Sequence, residues 1–133
     1  MARYLLDTNT ASYVIKGTVP RVRERLLRVA TSDVAISVVT EAELRFGVRR
    51  HLEATRVKAA VEGFLRFMDI RSWNSEAAQA YAEIRASIES EGHPMGNLDL
   101  MIAAHAVALG SVLVTGDRVF RWVKDLRIDD WTN

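Results

Sequence analysis

The sequence predicts a three-layer α/β fold, in which a central and mainly parallel β-sheet is flanked by helices on both faces. Short apolar runs that fit strands alternate along the chain with longer segments whose apolar residues recur at helical spacing. One of these helical segments is apolar nearly all round, which is typical of a helix enclosed by protein. Strands separated by helices favour a parallel sheet covered on both faces. We expect residues 1–133 to form a single domain, since 133 residues suit one compact unit.

The first unit of the chain has the pattern of a strand, an acid and a helix. Residues 3–6 are a short apolar strand candidate that ends at Asp7. Residues 8–10 supply capping side chains for a helix that reaches about residues 16–17. Pro20 then begins a second helix, because its fixed φ suits the first helical turn.

The middle of the chain predicts one further strand and three helices. Residues 34–36 form the strand, and the helix after it carries Glu43 and is expected to loosen at Gly47. The two helices that follow present core-facing residues at i, i+3 and i+4 spacing, and the second of them ends near Gly92. The apolar residues of these two helices are Val57, Ala60, Val61, Phe64, Leu65 and Met68 in one and Ala77, Tyr81, Ile84 and Ile88 in the other.

The last third of the chain contains the apolar helix and two strand candidates. The helix begins at Asn97 and stops before a glycine, the residue that most often closes helices. Residues 112–114 and 126–128 are the strands. In parallel sheets, functional groups gather beyond the carboxyl ends of the strands, and Asp7 and Asp117 both follow strand candidates in this way.

The composition excludes several kinds of site. Without cysteine there is no disulfide, thiolate metal site or cysteine nucleophile. The longest apolar stretch, residues 98–109, is shorter than the roughly 20 residues that span a bilayer, and the first residues lack the pattern of a secretory signal. We therefore expect a cytoplasmic protein with no membrane partner. The formal net charge of +1 neither requires nor excludes a polyanionic partner.

Four acids are the candidate catalytic residues, although each has an ordinary structural explanation. Asp7 has the position of a helix cap, and Glu43 that of a solvated helix residue. Asp99 suits the first turn of a helix, and Asp117 suits a turn. Asp99 stands out because a carboxylate on an enclosed apolar helix needs a neutralising partner, and residues 95–111 contain no lysine or arginine. The partner must come from elsewhere in the fold or be a bound cation.

A cluster of carboxylates points to metal-dependent chemistry. If the fold brings the four acids together, their mutual repulsion must be relieved by protons or by metal. Oxygen ligands select a hard cation, Mg²⁺ or Mn²⁺, and such a site suits phosphodiester cleavage. The histidines have no metal-binding spacing, and neither a nucleophile elbow nor a Gly-rich phosphate loop is present. Arg45, Arg49 and Arg118 follow two of the acids and are candidate contacts with nucleic-acid phosphates.

Several stretches carry these residues in a distinctive order and spacing. They are residues 5–10 (LLDTNT), 36–47 (ISVVTEAELRFG), 96–99 (GNLD) with 102–106 (IAAHA), 114–118 (VTGDR) with Phe120, and 128–131 (IDDW). Together they resemble the motifs of PIN-domain ribonucleases, specifically of VapC-type toxins of toxin–antitoxin pairs. The resemblance extends over essentially the whole chain.

The resemblance implies a PIN-like domain with one acidic site for Mg²⁺ or Mn²⁺, formed by Asp7, Glu43, Asp99 and Asp117. It implies an endoribonuclease that blocks translation by cleaving RNA, such as tRNA or rRNA. Members usually act as homodimers and are silenced by a VapB-type antitoxin in a higher toxin–antitoxin complex.

The resemblance also bears on the neighbours of the acids. It makes Glu43, and not Glu41, the site acid, which agrees with the divergence of about 200° between two residues so spaced on a helix. Asn9 and Thr115 become candidates for residues that support the acids. Position 116 is often asparagine in similar sequences and is Gly116 here, a departure that bears on how the adjacent fourth acid is ordered.

Two other functions remain open from the residues alone. One is a catalytically silent module of the same fold that binds RNA or protein. The other is a metal-dependent phosphatase of another α/β fold, which is disfavoured because Asp7 is not followed two residues later by a second aspartate.

Overall fold

The sheet is parallel throughout, and its five strands lie in the order β3-β2-β1-β4-β5. The computed structural model describes residues 2–51 and 55–133. The strands are β1 (Tyr4–Leu6), β2 (Val34–Ser37), β3 (Asp69–Arg71), β4 (Val112–Val114) and β5 (Ile128–Asp129).

Six α-helices and two short 3₁₀ helices lie in the described ranges. The α-helices are α1 (Thr8–Lys16), α2 (Pro20–Arg28), α3 (Val38–Arg50), α4 (Thr55–Phe67), α5 (Ser75–Ser90) and α6 (Asn97–Leu109). The 3₁₀ helices are Thr31–Asp33 and Arg118–Trp122. Among these residues, no helix is both long enough and apolar enough to cross a membrane.

The helices form a layer on each face of the sheet. Successive strand residues point to opposite faces, so Leu5 and Leu113 pack with α5 and α6, whereas Leu6 and Val114 pack with α1 to α4. All four of these side chains are fully buried. The expected three-layer α/β fold with a central parallel sheet is therefore confirmed.

The strand order reverses at β1, and this reversal positions the site. From β1 the chain moves outward to β2 and β3, and then returns to the other side of β1 to form β4 and β5. Leu6 pairs with Val114, so β1 and β4 end side by side. Crevices at such reversals are where open parallel sheets bind ligands. Asp7 and Asp117 follow the two strands that flank this crevice.

Three details differ from the sequence-based expectations. Strand β3 was not expected, because Asp69–Arg71 has a single apolar residue and lies at the sheet edge, where burial imposes little pattern. The expected loosening at Gly47 is wrong, since α3 runs unbroken to Arg50. The last strand begins at Ile128 instead of residue 126.

Candidate active site

Asp7 both caps a helix and contributes a buried carboxylate to the site. It directly follows β1, and its Oδ1 accepts a hydrogen bond of 2.8 Å from the backbone N–H of Thr10, which caps α1. The residue is only 3% exposed. Burial raises the pKa of Asp7 above its ordinary value, contacts with Thr115 and Thr10 partly oppose this rise, and the negative charge of Asp117 adds to it.

Asp99 lies in the first turn of α6 and is half-buried. The pKa of its carboxyl is raised to about 6. Burial is the largest cause, and the negative charges of the other three acids follow in the order Asp117, Glu43 and Asp7. The helix itself is enclosed as expected, although Asp99, at its end, is less buried than Asp7. Three acids that are distant in sequence thus act electrostatically on Asp99.

A hydroxyl pair holds Glu43 towards this cluster. The hydroxyl of Thr8 donates a hydrogen bond of 2.6 Å to Oε1 of Glu43, and its oxygen lies 3.2 Å from the hydroxyl oxygen of Thr40. Thr40 is completely buried. Glu41, in contrast, pairs at 2.8 Å with Arg45. From the sequence, Thr8 was expected only to help cap α1, a role that Asp7 takes in the structure, and Thr40 was given no role at the site. The position of Thr8 directly after Asp7 is the sequence signal that could have suggested its contact with Glu43.

Asp117 is the exposed member of the cluster. Its backbone N–H donates to the hydroxyl of Thr115 at 3.0 Å, and its Oδ1 accepts from the N–H of Val119 at 3.0 Å. The turn-forming role considered from the sequence is therefore real. Because Asp117 is the acid with the largest electrostatic effect on Asp99, it also takes part in the cluster.

The two supporting residues expected behind the acids have different environments. Thr115 is buried and contacts both Asp7 and Asp117. Asn9 is exposed and lines a small opening with Tyr13 and Asp117.

Gly116 lies beside a fifth carboxylate, that of Asp130. A Cβ at position 116 would come within 3.3 Å of Oδ1 of Asp130. The same oxygen accepts hydrogen bonds from the N–H and the hydroxyl of Thr132, at 2.9 and 2.6 Å. The absence of a side chain at Gly116 leaves room for this arrangement next to Asp117.

A buried hydrogen bond connects the helices that carry Glu43 and Asp99. Ser37 caps α3 by accepting from the N–H of Val39, and its hydroxyl oxygen lies 2.8 Å from Nδ1 of His105 on α6. Burial lowers the pKa of His105, and the nearby charge of Arg71 lowers it further, so the ring is neutral at pH 7. His105 is therefore a core residue in this fold.

The three arginines expected to contact RNA are not equivalent. Arg45 forms ion pairs with Glu41 at 2.8 Å and Glu62 at 3.0 Å. Arg49 is exposed near the end of α3, and Arg118 is exposed directly after Asp117. Only Arg45 of these three is held by acidic partners within the described residues.

The donor set suits a hard divalent cation that keeps part of its water shell. Within residues 2–51 and 55–133, no lysine or arginine forms an ion pair with any of the four acids. In the same ranges, no three acidic or histidine side chains are close enough to hold a metal by themselves. Mg²⁺ is usually held by one or two carboxylates and several waters, so a looser group of carboxylates fits it. Carboxylate repulsion that no ion pair of the described residues relieves is the observation that favours a metal here.

These features define a class of protein: three-layer α/β domains with a group of carboxylates at the reversal point of a parallel sheet. The PIN domain family model matches residues 4–126. The tRNA(fMet)-specific endonuclease VapC of Salmonella typhimurium is 38% identical over 98% of this chain and 99% of its own length. The chain therefore belongs to the PIN-domain family, as a VapC-type member.

Solved structures agree with this assignment. VapBC from Salmonella typhimurium, bound to DNA, matches with a TM-score of 0.91 and 38% identity, covering 98% of this chain and 99% of the matched chain. VapBC2 from Rickettsia felis, bound to a DNA fragment from its promoter, matches with a TM-score of 0.88 and 29% identity over 96% and 98% of the two chains.

Proposed function

We propose that this protein is a metal-dependent endoribonuclease, the toxin of a toxin–antitoxin pair, which hydrolyses RNA at Asp7, Glu43, Asp99 and Asp117. The observation that carries the proposal is the electrostatic cluster at the end of β1 and β4, in which the other three acids raise the pKa of Asp99. Relatives named as VapC endonucleases and ribonucleases support the reaction class. The proposal treats residues 1–133 as one PIN domain.

The four acids would hold Mg²⁺ or Mn²⁺. When bound, the metal supplies an activated water nucleophile and neutralises charge on the attacked phosphate. The protein's own residues prepare this site: Thr8 orients Glu43, Thr115 contacts two of the acids, and the cap at Thr10 fixes Asp7. Above pH 6 the Asp99 carboxyl is mostly ionised and able to act as a ligand.

The substrate and partners follow from the relatives. A tRNA is the first substrate to test, because the Salmonella relative is named for tRNA(fMet). A VapB-type antitoxin would cover the four acids, since matched structures are VapBC complexes. We place the activity in the cytoplasm, where tRNA is found, and expect a homodimer that assembles with the antitoxin.

The catalytic proposal is tested with purified protein, initiator tRNA and either Mg²⁺ or Mn²⁺. Asp7→Asn keeps an oxygen that accepts from the N–H of Thr10, so it removes the charge and preserves the cap. We expect this change to lower cleavage by roughly 100-fold or more. Asp33→Asn, in a 3₁₀ helix at the opposite end of β2, is the matched control and should cleave normally.

Three results would contradict this function. Equal cleavage by wild type and Asp7→Asn would exclude the acid site, and no cleavage with either metal would exclude the enzyme. RNA binding without divalent-ion binding in isothermal titration would favour the catalytically silent module. Mapping the new 5′ ends in total cellular RNA then identifies the RNA that is cut.

The partner proposal is tested by co-expression with VapB from the Salmonella pair, followed by size-exclusion chromatography. A stable complex with reduced ribonuclease activity is expected. Free elution of both proteins together with full activity would contradict an antitoxin of this type.

A further inference from the structure

Three planar side chains stack on one another at the surface of the molecule. The rings of His93 and Trp122 have their centres 3.8 Å apart and are nearly parallel, with an angle of 16° between them. The guanidinium carbon of Arg121 lies over the Trp122 ring, 4.9 Å from its centre. Because His93 covers one face of the indole, Arg121 lies over the other. We call this group of His93, Trp122 and Arg121 the Trp122 stack.

The Trp122 stack joins the two chain segments that carry Asp99 and Asp117. Trp122 ends the 3₁₀ helix that Asp117 caps, so it lies about 10 Å from that acid at roughly 2 Å of rise per residue. His93 belongs to the loop that leads into α6, and a Cβ at Gly96 in this loop would lie 3.9 Å from Oδ2 of Asp99. A chain bound on the stack can therefore extend to the acids.

The need to fill the core does not explain the position of Trp122. Its neighbours Phe120 and Val123 are buried, whereas Trp122 is 38% exposed and Arg121 is exposed beside it. Tryptophan combines a large apolar surface with a polar N–H and is enriched where proteins contact a ligand or a partner. An exposed indole next to an active site is thus a candidate for contact with the substrate.

The surface around the stack carries free positive charge. Arg118 follows Asp117 directly and is exposed, as Arg121 is at the other end of the same 3₁₀ helix. Among the described residues, neither arginine has an acidic partner, whereas Lys124 lies 3.8 Å from a carboxylate oxygen of Glu91. The contact of an exposed arginine with an aromatic ring is weak. Arg121 can therefore leave the indole for an anionic group.

An exposed indole with free arginines beside it is the combination that binds unpaired nucleotides. Bases stack on aromatic rings, and arginines contact the phosphates between them. A duplex presents no free base face, so the stack selects single-stranded RNA. Tryptophan and arginine also dominate many protein interfaces. Two arginines without acidic partners, next to a group of carboxylates suited to phosphodiester cleavage, favour RNA as the occupant.

We propose that the Trp122 stack binds an unpaired base of the RNA substrate. The base takes the place of Arg121 over the indole, and Arg121 and Arg118 contact the neighbouring phosphates. His93 supports the indole from its other face. The proposal rests on the ribonuclease function above, and it assigns the RNA a few nucleotides from the scissile phosphate to a single-stranded region, such as a loop.

Two variants of Trp122 separate its aromatic face from its apolar bulk. Trp122→Leu keeps an apolar side chain but no ring, and Trp122→Phe keeps a ring. In EDTA, where metal-dependent cleavage stops, the affinity for labelled oligouridylate is measured by fluorescence anisotropy. We expect Trp122→Leu to weaken binding about fivefold or more and Trp122→Phe to weaken it about twofold or less. Equal affinity of wild type and Trp122→Leu would overturn the proposal.

An arginine followed by an exposed aromatic residue recurs at the opposite end of the sheet, in Arg66 and Phe67. These two residues are exposed at the end of α4, just before β3 begins. Arg66→Ala and Phe67→Leu are therefore matched controls for the stack and should leave the affinity for oligouridylate unchanged. The same loss of affinity in Phe67→Leu as in Trp122→Leu would show that the effect is not specific to the stack and would contradict the proposal.

The salt dependence of binding separates the arginine from the ring. Arg121→Ala should reduce the slope of log affinity against log salt by about 0.7 per lost phosphate contact. Trp122→Leu should keep the wild-type slope, because stacking releases no counterions. An unchanged slope in Arg121→Ala would exclude the phosphate contact.

Direct stacking on the indole also has a spectroscopic signature. Of the three tryptophans, Trp131 is buried, Trp73 is half-buried and Trp122 is exposed. A base stacked on an indole quenches its fluorescence, so oligouridylate should quench the emission of wild type. Trp122→Phe should bind the RNA without this quenching, which a merely structural role of Trp122 does not predict. Binding to wild type without quenching would contradict the proposal.

The remaining outcomes distinguish this proposal from the catalytic one. If Trp122→Leu binds RNA normally but no longer captures Salmonella VapB, the stack is a protein-binding surface and the proposal is wrong. If wild type binds oligouridylate but does not cleave tRNA, the catalytic proposal fails and the Trp122 variants still decide the stack. If wild type cleaves tRNA but does not bind oligouridylate, only the stack proposal fails.

Discussion

Replacing Asp99 by asparagine should stabilise the metal-free protein at neutral pH while abolishing its activity. The pKa of Asp99 rises from an ordinary value of 3.8 to about 6 in the fold. The folded state therefore binds this proton more tightly than the unfolded state does. The tightly bound proton adds to the free energy of unfolding. This contribution is fully present below pH 3.8 and is lost as the pH rises through 6.

The size of this contribution to the free energy of unfolding follows from the pKa shift of Asp99. Each pKa unit corresponds to about 1.4 kcal/mol, so the full shift would be worth ~3 kcal/mol for an enclosed group. Asp99 is only half-buried, and solvent screening reduces this to about 1–2 kcal/mol. Asp99→Asn should thus gain almost nothing over wild type at pH 4 and about 1–2 kcal/mol in free energy of unfolding at pH 7.5.

Urea denaturation of both proteins in EDTA at these two pH values measures the difference. Asp7, whose pKa is also raised, is present in both proteins, so the comparison isolates Asp99. Adding Mg²⁺ at 100 times its Kd should stabilise wild type by about 2.7 kcal/mol and the variant by much less. A stability difference that is the same at both pH values, or a variant less stable than wild type at pH 7.5, would refute this account of the site.

Three further changes test individual contacts. Thr8→Val removes the 2.6 Å hydrogen bond to Glu43 and should lower kcat about tenfold, whereas Thr8→Ser should retain activity in the same tRNA assay. Asp125 has a φ of 65°, so Asp125→Gly should raise the free energy of unfolding by about 0.5 kcal/mol and Asp125→Val should lower it by about 1 kcal/mol, as measured by urea denaturation. Gly116→Asn would crowd the carboxylate of Asp130 and should lower the Tm by a few degrees. A combined Gly116→Asn/Asp130→Ser protein should recover this loss. An unchanged Tm in the Gly116→Asn protein would show that Asp130 can move aside.

Much of the fold could be predicted because burial imposes a pattern on the sequence. Strands β1, β2 and β4 are central and buried, so each is a nearly continuous apolar run. Helix α6 is enclosed and is accordingly apolar around most of its surface. Edge strand β3 and the end of α3 carry no such pattern, and both were predicted incorrectly.

The site could be predicted only in part, because its members meet through tertiary structure. Strand ends placed Asp7 and Asp117 near one another, and Glu43 follows the end of β2 on the next helix. No spacing in the sequence shows that Asp99 joins these three acids. The Thr8–Thr40 contact joins residues 32 positions apart, which a local pattern does not reveal. The clustering of arginines in the sequence favoured Arg45 as a contact with RNA phosphates. The structure shows that Arg45 is already paired with Glu41 and Glu62.

The structure also changes how the competing explanations of the acids relate to one another. From the sequence, capping and catalysis are alternative roles for these acids. In the structure, Oδ1 of Asp7 and Oδ1 of Asp117 each accept a hydrogen bond from a backbone N–H at the start of a helix, and both residues also act electrostatically on Asp99. The backbone thus fixes the orientation of each carboxylate before any metal binds. Since asparagine retains the accepting oxygen, substitution by asparagine at either position separates the charge from the cap. Alanine would remove both, and a loss of activity in an alanine variant could not be assigned to the chemistry.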